Sequence, residues 1–402
     1  MPMLERRTLL RLLAGSGVFA VAGMPGAVFA AAPGDRRLVV VLLRGALDGL
    51  AAVPPLADAQ YQAKRGALAL PAPGTAQGCL ALDHTFALHP ALAPLHPYWQ
   101  KGELAFIHAS GNGYRTRSHF DGQDLMESGL SAKTGMSDGW LNRALVLLPH
   151  GERRLGLAVG GAVPLILRGP VPVASWEPPG GLHEASADFL AALTPLYQHD
   201  AVLGPALADG LKAQNFSSAV LGNDMAGGRG FGPKNFAPLA EAAGKLLAAT
   251  DGPRIAVLDM GGWDTHVNQG AAEGRLAQNL AGYAAGLDAL AQALGPAWRQ
   301  TALVAVTEFG RTVAVNGNNG TDHGTASVLL LMGGAIHGGR MIGDWPGLAQ
   351  LQDDRDLRVA TDSRRAMKGL LRDHLGLDAA SLDRKVFPDA AALKPLDGLI
   401  RA

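Results

Sequence analysis

Apolar positions along this chain fall into short runs separated by longer segments of helical period. Residues 37–43 (RLVVVLL) are almost continuously apolar, the pattern of a strand buried on both faces. Residues 104–109, 155–159, 163–167, 254–260, 302–306 and 328–332 read as further strands. Between them lie predicted helices: one starting near Ser118, one over 184–214 with Pro195 as a break, and one from Phe236 to about Thr250. The best-patterned helix carries Leu276, Leu280, Tyr283, Leu287, Leu290 and Leu294, at steps of four and three along one face. Residues 215–235 include Gly-Gly-Arg-Gly-Phe-Gly-Pro and read as a loop. Strands alternating with helices predict parallel pairing through right-handed crossovers, an α/β fold. No linker divides the chain, so a single domain is expected over 36–400, with 130–235 as an insertion or cap.

Composition narrows the class. Of 402 residues, 48% are apolar and 17% charged, which allows a large core, and the formal net charge is zero. A neutral chain gives no sign of a nucleic-acid surface. The single cysteine, Cys79, excludes an internal disulfide and a cysteine metal cluster. Residues 1–30 resemble a twin-arginine signal peptide: Arg6-Arg7, a short apolar stretch broken by Gly15, Gly17, Gly23 and Pro25, then Val28-Phe29-Ala30 as a small-residue cleavage site. The expectation is export to the periplasm or beyond, with the twin-arginine translocase as a transient partner. No later stretch approaches the ~20 apolar residues of a membrane helix.

The candidate chemistry follows the predicted strands. Gly261-Gly262-Trp263-Asp264-Thr265-His266 and Thr307-Glu308-Phe309-Gly310 each leave an apolar run, and Gly320-Thr321-Asp322-His323-Gly324 comes one loop later. Ligands bind at the carboxyl edge of such sheets. Asp264 and His266, two apart on an extended segment, would point the same way. Carboxylates and imidazoles converging there suit a divalent metal: zinc, manganese, iron or calcium, one ion or two. Asp48, after the first strand, reads equally as a ligand or as a turn residue before Gly49. Ser118 reads as a helix cap in Ser-x-x-Asp or as a nucleophilic hydroxyl. Arg115, Arg117 and Arg311 are candidates for an anionic substrate, and His119 for substrate or metal.

At these residues the chain resembles the DUF1501 family, whose name records an unknown function. The shared motifs are Leu-Arg-Gly-Ala-Leu-Asp-Gly at 43–49, Arg-Ser-His-Phe-Asp-Gly-Gln-Asp at 117–124, Gly-Asp-Trp-Pro-Gly-Leu at 343–348 and the three clusters above. That family is similar in turn to the alkaline phosphatase and sulfatase superfamily. The resemblance implies a three-layer α/β/α sandwich with a mostly parallel sheet. It also implies a metal-dependent hydrolase of a phosphate or sulfate ester, on an anionic small molecule or polymer. By strand order, Glu308-Phe309 stands where the superfamily has an Asp-His pair and His323 where it has a lone ligand histidine. One metal ligand is then missing, which leaves open a non-catalytic periplasmic or cell-surface scaffold or binding protein.

Overall fold

The computed structural model describes residues 35–132, 137–149, 155–178, 187–201, 203–222 and 232–401; the expected signal peptide lies outside the described residues. Its centre is a sheet of β1 (Arg37–Arg44), β2 (Leu104–Gly111), β3 (Gly156–Val159), β4 (Ala174–Trp176), β5 (Ile255–Gly261), β6 (Thr301–Thr307), β7 (Ser327–Met332) and β8 (Arg340–Ile342), in the order β8-β2-β7-β6-β1-β5-β3-β4. A short β9 (Thr361–Asp362) pairs with the far end of β2. Pairing is parallel except on both sides of β7.

Alternate residues of β1 face opposite layers, and both faces are buried. Val39, Val41 and Leu43 join the core under helices α4 (Pro233–Ala248) and α5 (Arg275–Leu294). Leu38, Val40 and Leu42 join the core under α2 (Trp140–Leu147) and α6 (Ser363–Asp373). The protein is therefore an α/β/α sandwich with a mostly parallel sheet. The six apolar residues of the α5 face are all buried, each contributing roughly 1.5–3 kcal/mol relative to exposure. Gly295, at φ +52°, ends that helix.

Four expectations are corrected. Residues 163–167 hold a 3-10 turn, Leu165–Leu167, after Pro164, which has no N–H to give a ladder; the strand is β4. Residues 215–221 continue helix α3 (Leu203–Leu221), because Phe216 and Val220 pack on the core. Within the expected insertion, β3 and β4 belong to the central sheet, so that part is not a cap. Lastly, β7 is antiparallel. The chain leaves β6 at the carboxyl edge and re-enters there as β7, so it must run back. That excursion keeps the third cluster beside the first two.

Candidate metal centre

Extended backbone after β5 sorts the side chains. Trp263 is fully buried against Tyr283 and donates its indole N–H to the Met260 carbonyl at 3.0 Å. Thr265 is buried too, while Asp264 and His266 face outward, with His266 Nε2 3.0 Å from Asp264 Oδ1. Gly45, in the turn after β1, allows the close approach. Its φ is +117°, and a Cβ there would stand 2.7 Å from the Asp264 nitrogen. Gly320 does the same for the third cluster, where a Cβ would lie 2.3 Å from the His266 carbonyl oxygen.

Three imidazoles meet at Asp264. His119 begins α1 (His119–Ser128), and its Nδ1 is 2.8 Å from Glu308 Oε1. His266 Nδ1 is 3.1 Å from Asp322 Oδ1, and His323 Nδ1 is 2.9 Å from the Arg117 carbonyl. Each partner is an acceptor, so each Nδ1 bears a proton and Nε2 is the nitrogen left for an ion. Three Nε2 atoms then point inward. His266 Nε2 and His323 Nε2 are 2.9 Å apart, and His323 Nε2 is 3.2 Å from Asp264 Oδ1. His119 Nε2 lies 3.4 Å from Asp264 Oδ2, within ion-pair range, and this buried nitrogen makes no hydrogen bond.

Such a set repels itself unless protons or a cation enter. The contact with Asp264 and the bond to Glu308 push the His119 imidazole up to about 9, against the opposing effect of burial. Burial works to raise Asp264, but His119, His323 and Arg311 outweigh it and hold the carboxyl well below the usual range. Ligands about 2.1 Å from a tetrahedral ion stand about 3.4 Å apart. The ligand atoms of His119, Asp264 and His323 all lie within 4.8 Å of one another. Donor type, spacing and the orphaned His119 nitrogen fit one divalent cation held by His119, His323 and Asp264, with His266 Nε2, 3.0 Å from Asp264 Oδ1, as an adjoining donor.

Several expected ligands stand one step back. Glu308 is buried, and its Oε1 accepts from His119, from Gly45 N at 2.9 Å and from Gln123 Nε2 at 3.1 Å. Burial would raise it, yet these bonds, His119 first, bring its pKa down. Asp322 accepts from Asn316 Nδ2 at 3.0 Å as well as from His266, and both lower its pKa. These two acids orient imidazoles. Asp48 sits in a buried ion pair with Arg65 at 2.6 Å, accepts from Gln269 Nε2 at 2.7 Å and caps the Ala51 nitrogen. It caps the turn at Gly49, and both of its carboxylate oxygens are engaged by Arg65, Gln269 and Ala51 N.

The arginines divide similarly. Arg311 is fully buried and donates to Asp264 Oδ1 at 2.6 Å and to the Thr321 hydroxyl and carbonyl, so it orients the carboxylate instead of meeting substrate. Arg117 spends its guanidinium on Asp356 and Asp353. Arg115 is exposed. Ser118 occupies the N-cap of α1, but its side chain makes no capping bond.

The family model described as "Protein of unknown function (DUF1501)" matches residues 35–385. The chain belongs to the DUF1501 family. No curated protein matches it. Among solved structures, this DUF1501 chain is similar to a protein in the alkaline phosphatase superfamily from Vibrio parahaemolyticus, at 12% identity and a TM-score of 0.39, over 98% of this chain and 80% of that one. It is also similar to a phosphonate monoester hydrolase of Agrobacterium radiobacter, at 11% identity and TM-score 0.38, over 85% and 74%. A third is the C-terminal periplasmic domain of EcEptC from Escherichia coli in complex with Zn, at 9% identity and TM-score 0.33, over 78% and 77%.

Sequence reasoning left His119 between substrate and metal, and it missed Gln123, Gln269, Asn316 and Asp356. One signal was available. His119 and Gln123 are four apart, on one helix face, and both reach Glu308. The others are joined only by long-range folding. Gln269 Oε1 accepts from Thr265 at 2.8 Å and from Thr321 at 2.6 Å, tying the first cluster to the third.

Proposed function

We propose that this protein is an exported hydrolase of phosphate or sulfate esters that uses one divalent metal ion held by His119, His266, His323 and Asp264. The observation that carries the reading is the convergence of three Nε2 atoms, each with its Nδ1 already committed, on one carboxylate that remains 44% exposed. Three imidazoles suit zinc, iron or manganese; calcium takes six to eight oxygens and is disfavoured. Such an ion, when bound, supplies Lewis acidity toward an ester oxygen and a lowered pKa for a bound hydroxyl or water.

The chain's own residues supply the rest. Ser118 is adjacent to His119 and makes no capping bond, which leaves its hydroxyl available as nucleophile. Glu308 and Asp322 hold two imidazoles in one tautomer. Arg311 holds Asp264. Arg115 is the exposed cation left to meet an anionic small molecule or polymer. No helix among the described residues is long and apolar enough to cross a membrane.

A second reading, a periplasmic or cell-surface scaffold, is favoured by one feature: with His266 added to His119, His323 and Asp264, four protein donors would fill a tetrahedral ion's coordination, as in closed structural sites. Elemental analysis of exported protein beside His266→Ala and His323→Ala tests the centre. About one ion per chain, lost in both variants, supports it, and well-folded protein that takes up no metal sinks it. Turnover of phosphate or sulfate esters abolished by Ser118→Ala, at full metal content, separates hydrolase from scaffold.

A further inference from the structure

We infer that the Arg117–Asp356 ion pair is a positioning device for the metal centre, fixing both His323 and the start of the helix that carries His119. The inference rests on the proposed metal-binding reading. Arg117 adopts φ +59°, a left-handed conformation that L side chains disfavour. Something must hold it there. Its guanidinium donates from Nε at 2.9 Å and from Nη2 at 2.6 Å to Asp356 Oδ2. Asp356 is fully buried and locked by backbone bonds to Gln352 in both directions, at 2.8 and 2.9 Å. The second acid, Asp353, is 55% exposed, and an exposed pair contributes little.

Two consequences reach the centre. The Arg117 carbonyl accepts from His323 Nδ1 at 2.9 Å, so the twist at Arg117 aims the third imidazole. Two residues later the chain presents His119, whose Nδ1 is held by Glu308 from the opposite side. The same segment grips His323 a second time, because Arg355 donates from Nη2 to the His323 carbonyl oxygen. Two of the three imidazoles are thus referenced to one short segment, 352–356, that itself supplies no ligand. Partners that orient a ligand imidazole typically change metal affinity 10–100-fold when removed.

The test compares wild type, Asp356→Asn, Arg117→Lys, His323→Ala and the surface control Lys245→Ala, each prepared metal-free and loaded with cobalt(II). Affinity comes from chelator competition, ligand geometry from the visible cobalt bands, and folding from melting of the metal-free chains. Asp356→Asn is expected to bind cobalt about 10–100-fold more weakly with shifted bands while the metal-free chain stays folded. Arg117→Lys, which keeps the charge but loses the two-pronged donor, falls between. Lys245→Ala behaves as wild type. Folded Asp356→Asn with wild-type affinity and bands overturns the inference while the metal reading stands. Should Asp356→Asn fail to fold, Arg117→Lys carries the same test. Wild type that takes up no cobalt, or His323→Ala that binds it normally, overturns the metal reading and this inference with it.

Discussion

Glu308→Gln removes one negative charge from behind His119 while keeping the shape of the side chain. The wild-type carboxylate accepts three donors at Oε1, from His119, Gly45 and Gln123, at 2.8, 2.9 and 3.1 Å. Its Oε2 lies 2.9 Å from the Thr307 hydroxyl, which is also 2.7 Å from the Leu43 carbonyl. A hydroxyl has one proton, so Thr307 can donate to Leu43 and accept from an amide instead. A glutamine with its carbonyl in the Oε1 place therefore satisfies every neighbour. The fold should survive, whereas Glu308→Ala would strip the buried Gly45 N of its partner at about 1–3 kcal/mol and also release the part-buried His119 and Gln123 donors. What changes is His119, which loses the charge that makes its Nε2 a strong donor. Orienting partners of this kind are worth 10–100-fold in metal affinity, about 1.4–2.8 kcal/mol. Chelator competition on metal-free protein, with thermal melting as the folding control, measures this. A folded Glu308→Gln protein that binds zinc within threefold of wild type would refute the argument.

The remaining predictions follow from burial and titration. Asp48→Asn leaves Arg65 buried without its counter-charge, at a cost of about 3–5 kcal/mol in denaturant unfolding, with metal stoichiometry unchanged. Loss of metal from a folded Asp48→Asn chain would place Asp48 back among the ligands. His119, raised to about 9 in the metal-free protein, must give up its proton to bind an ion, so affinity falls about tenfold per pH unit below 9. Calorimetry in buffers of different ionisation enthalpy should show at least one proton released per ion at pH 7, and none released contradicts the assignment. In the metal-free chain the same shift stabilises the fold below the unfolded value near 6.5, and that stability is lost as pH rises through 9. Burial lowers His108 and His374 to about 4 each. Their contribution is complete above the unfolded value near 6.5 and is lost as pH falls toward 4. His374→Asn should flatten the decline of melting temperature over that window, and an unchanged slope would show that other groups control it.

Much of this architecture can be read from periodicity. β1, β2, β5 and β6 lie where continuous apolar runs predict buried strands, and the α5 face follows the spacing of Leu276 through Leu294. What sequence could not separate is a ligand from its support. Asp264 and Glu308 both follow a strand, but Trp263 is itself buried in the core and turns Asp264 outward, whereas Glu308 is pulled under α1. Ser118 fits a capping pattern by spacing, yet forms no cap. Arg117 and Arg311 look like anion binders because arginine usually is one; their partners, Asp356 and Thr321, come from loops whose approach no local pattern encodes. Direction of β7 was equally hidden, since an apolar run carries no polarity.

Whether an ion here serves the fold or the chemistry turns on what the loops need. A structural ion bridges segments that would otherwise part. In this protein the segments are already bridged: Gly45 N donates to Glu308, Thr321 N to the Thr265 carbonyl at 3.1 Å, Asn316 Nδ2 to the His266 carbonyl at 3.0 Å, and Arg311 spans Asp264 and Thr321. Side-chain exposure is lopsided as well. Glu308, Arg311 and Asp356 are at 0% behind the centre, while Asp264 and His266, at 44% and 38%, face solvent. A rigid buried backing with an open front is the arrangement that a reacting group needs. Chelation should therefore leave residues 261–269 and 316–324 protected in hydrogen exchange. Loss of protection confined to those two segments would mean instead that the ion holds them together, and the scaffold reading would then have the stronger claim.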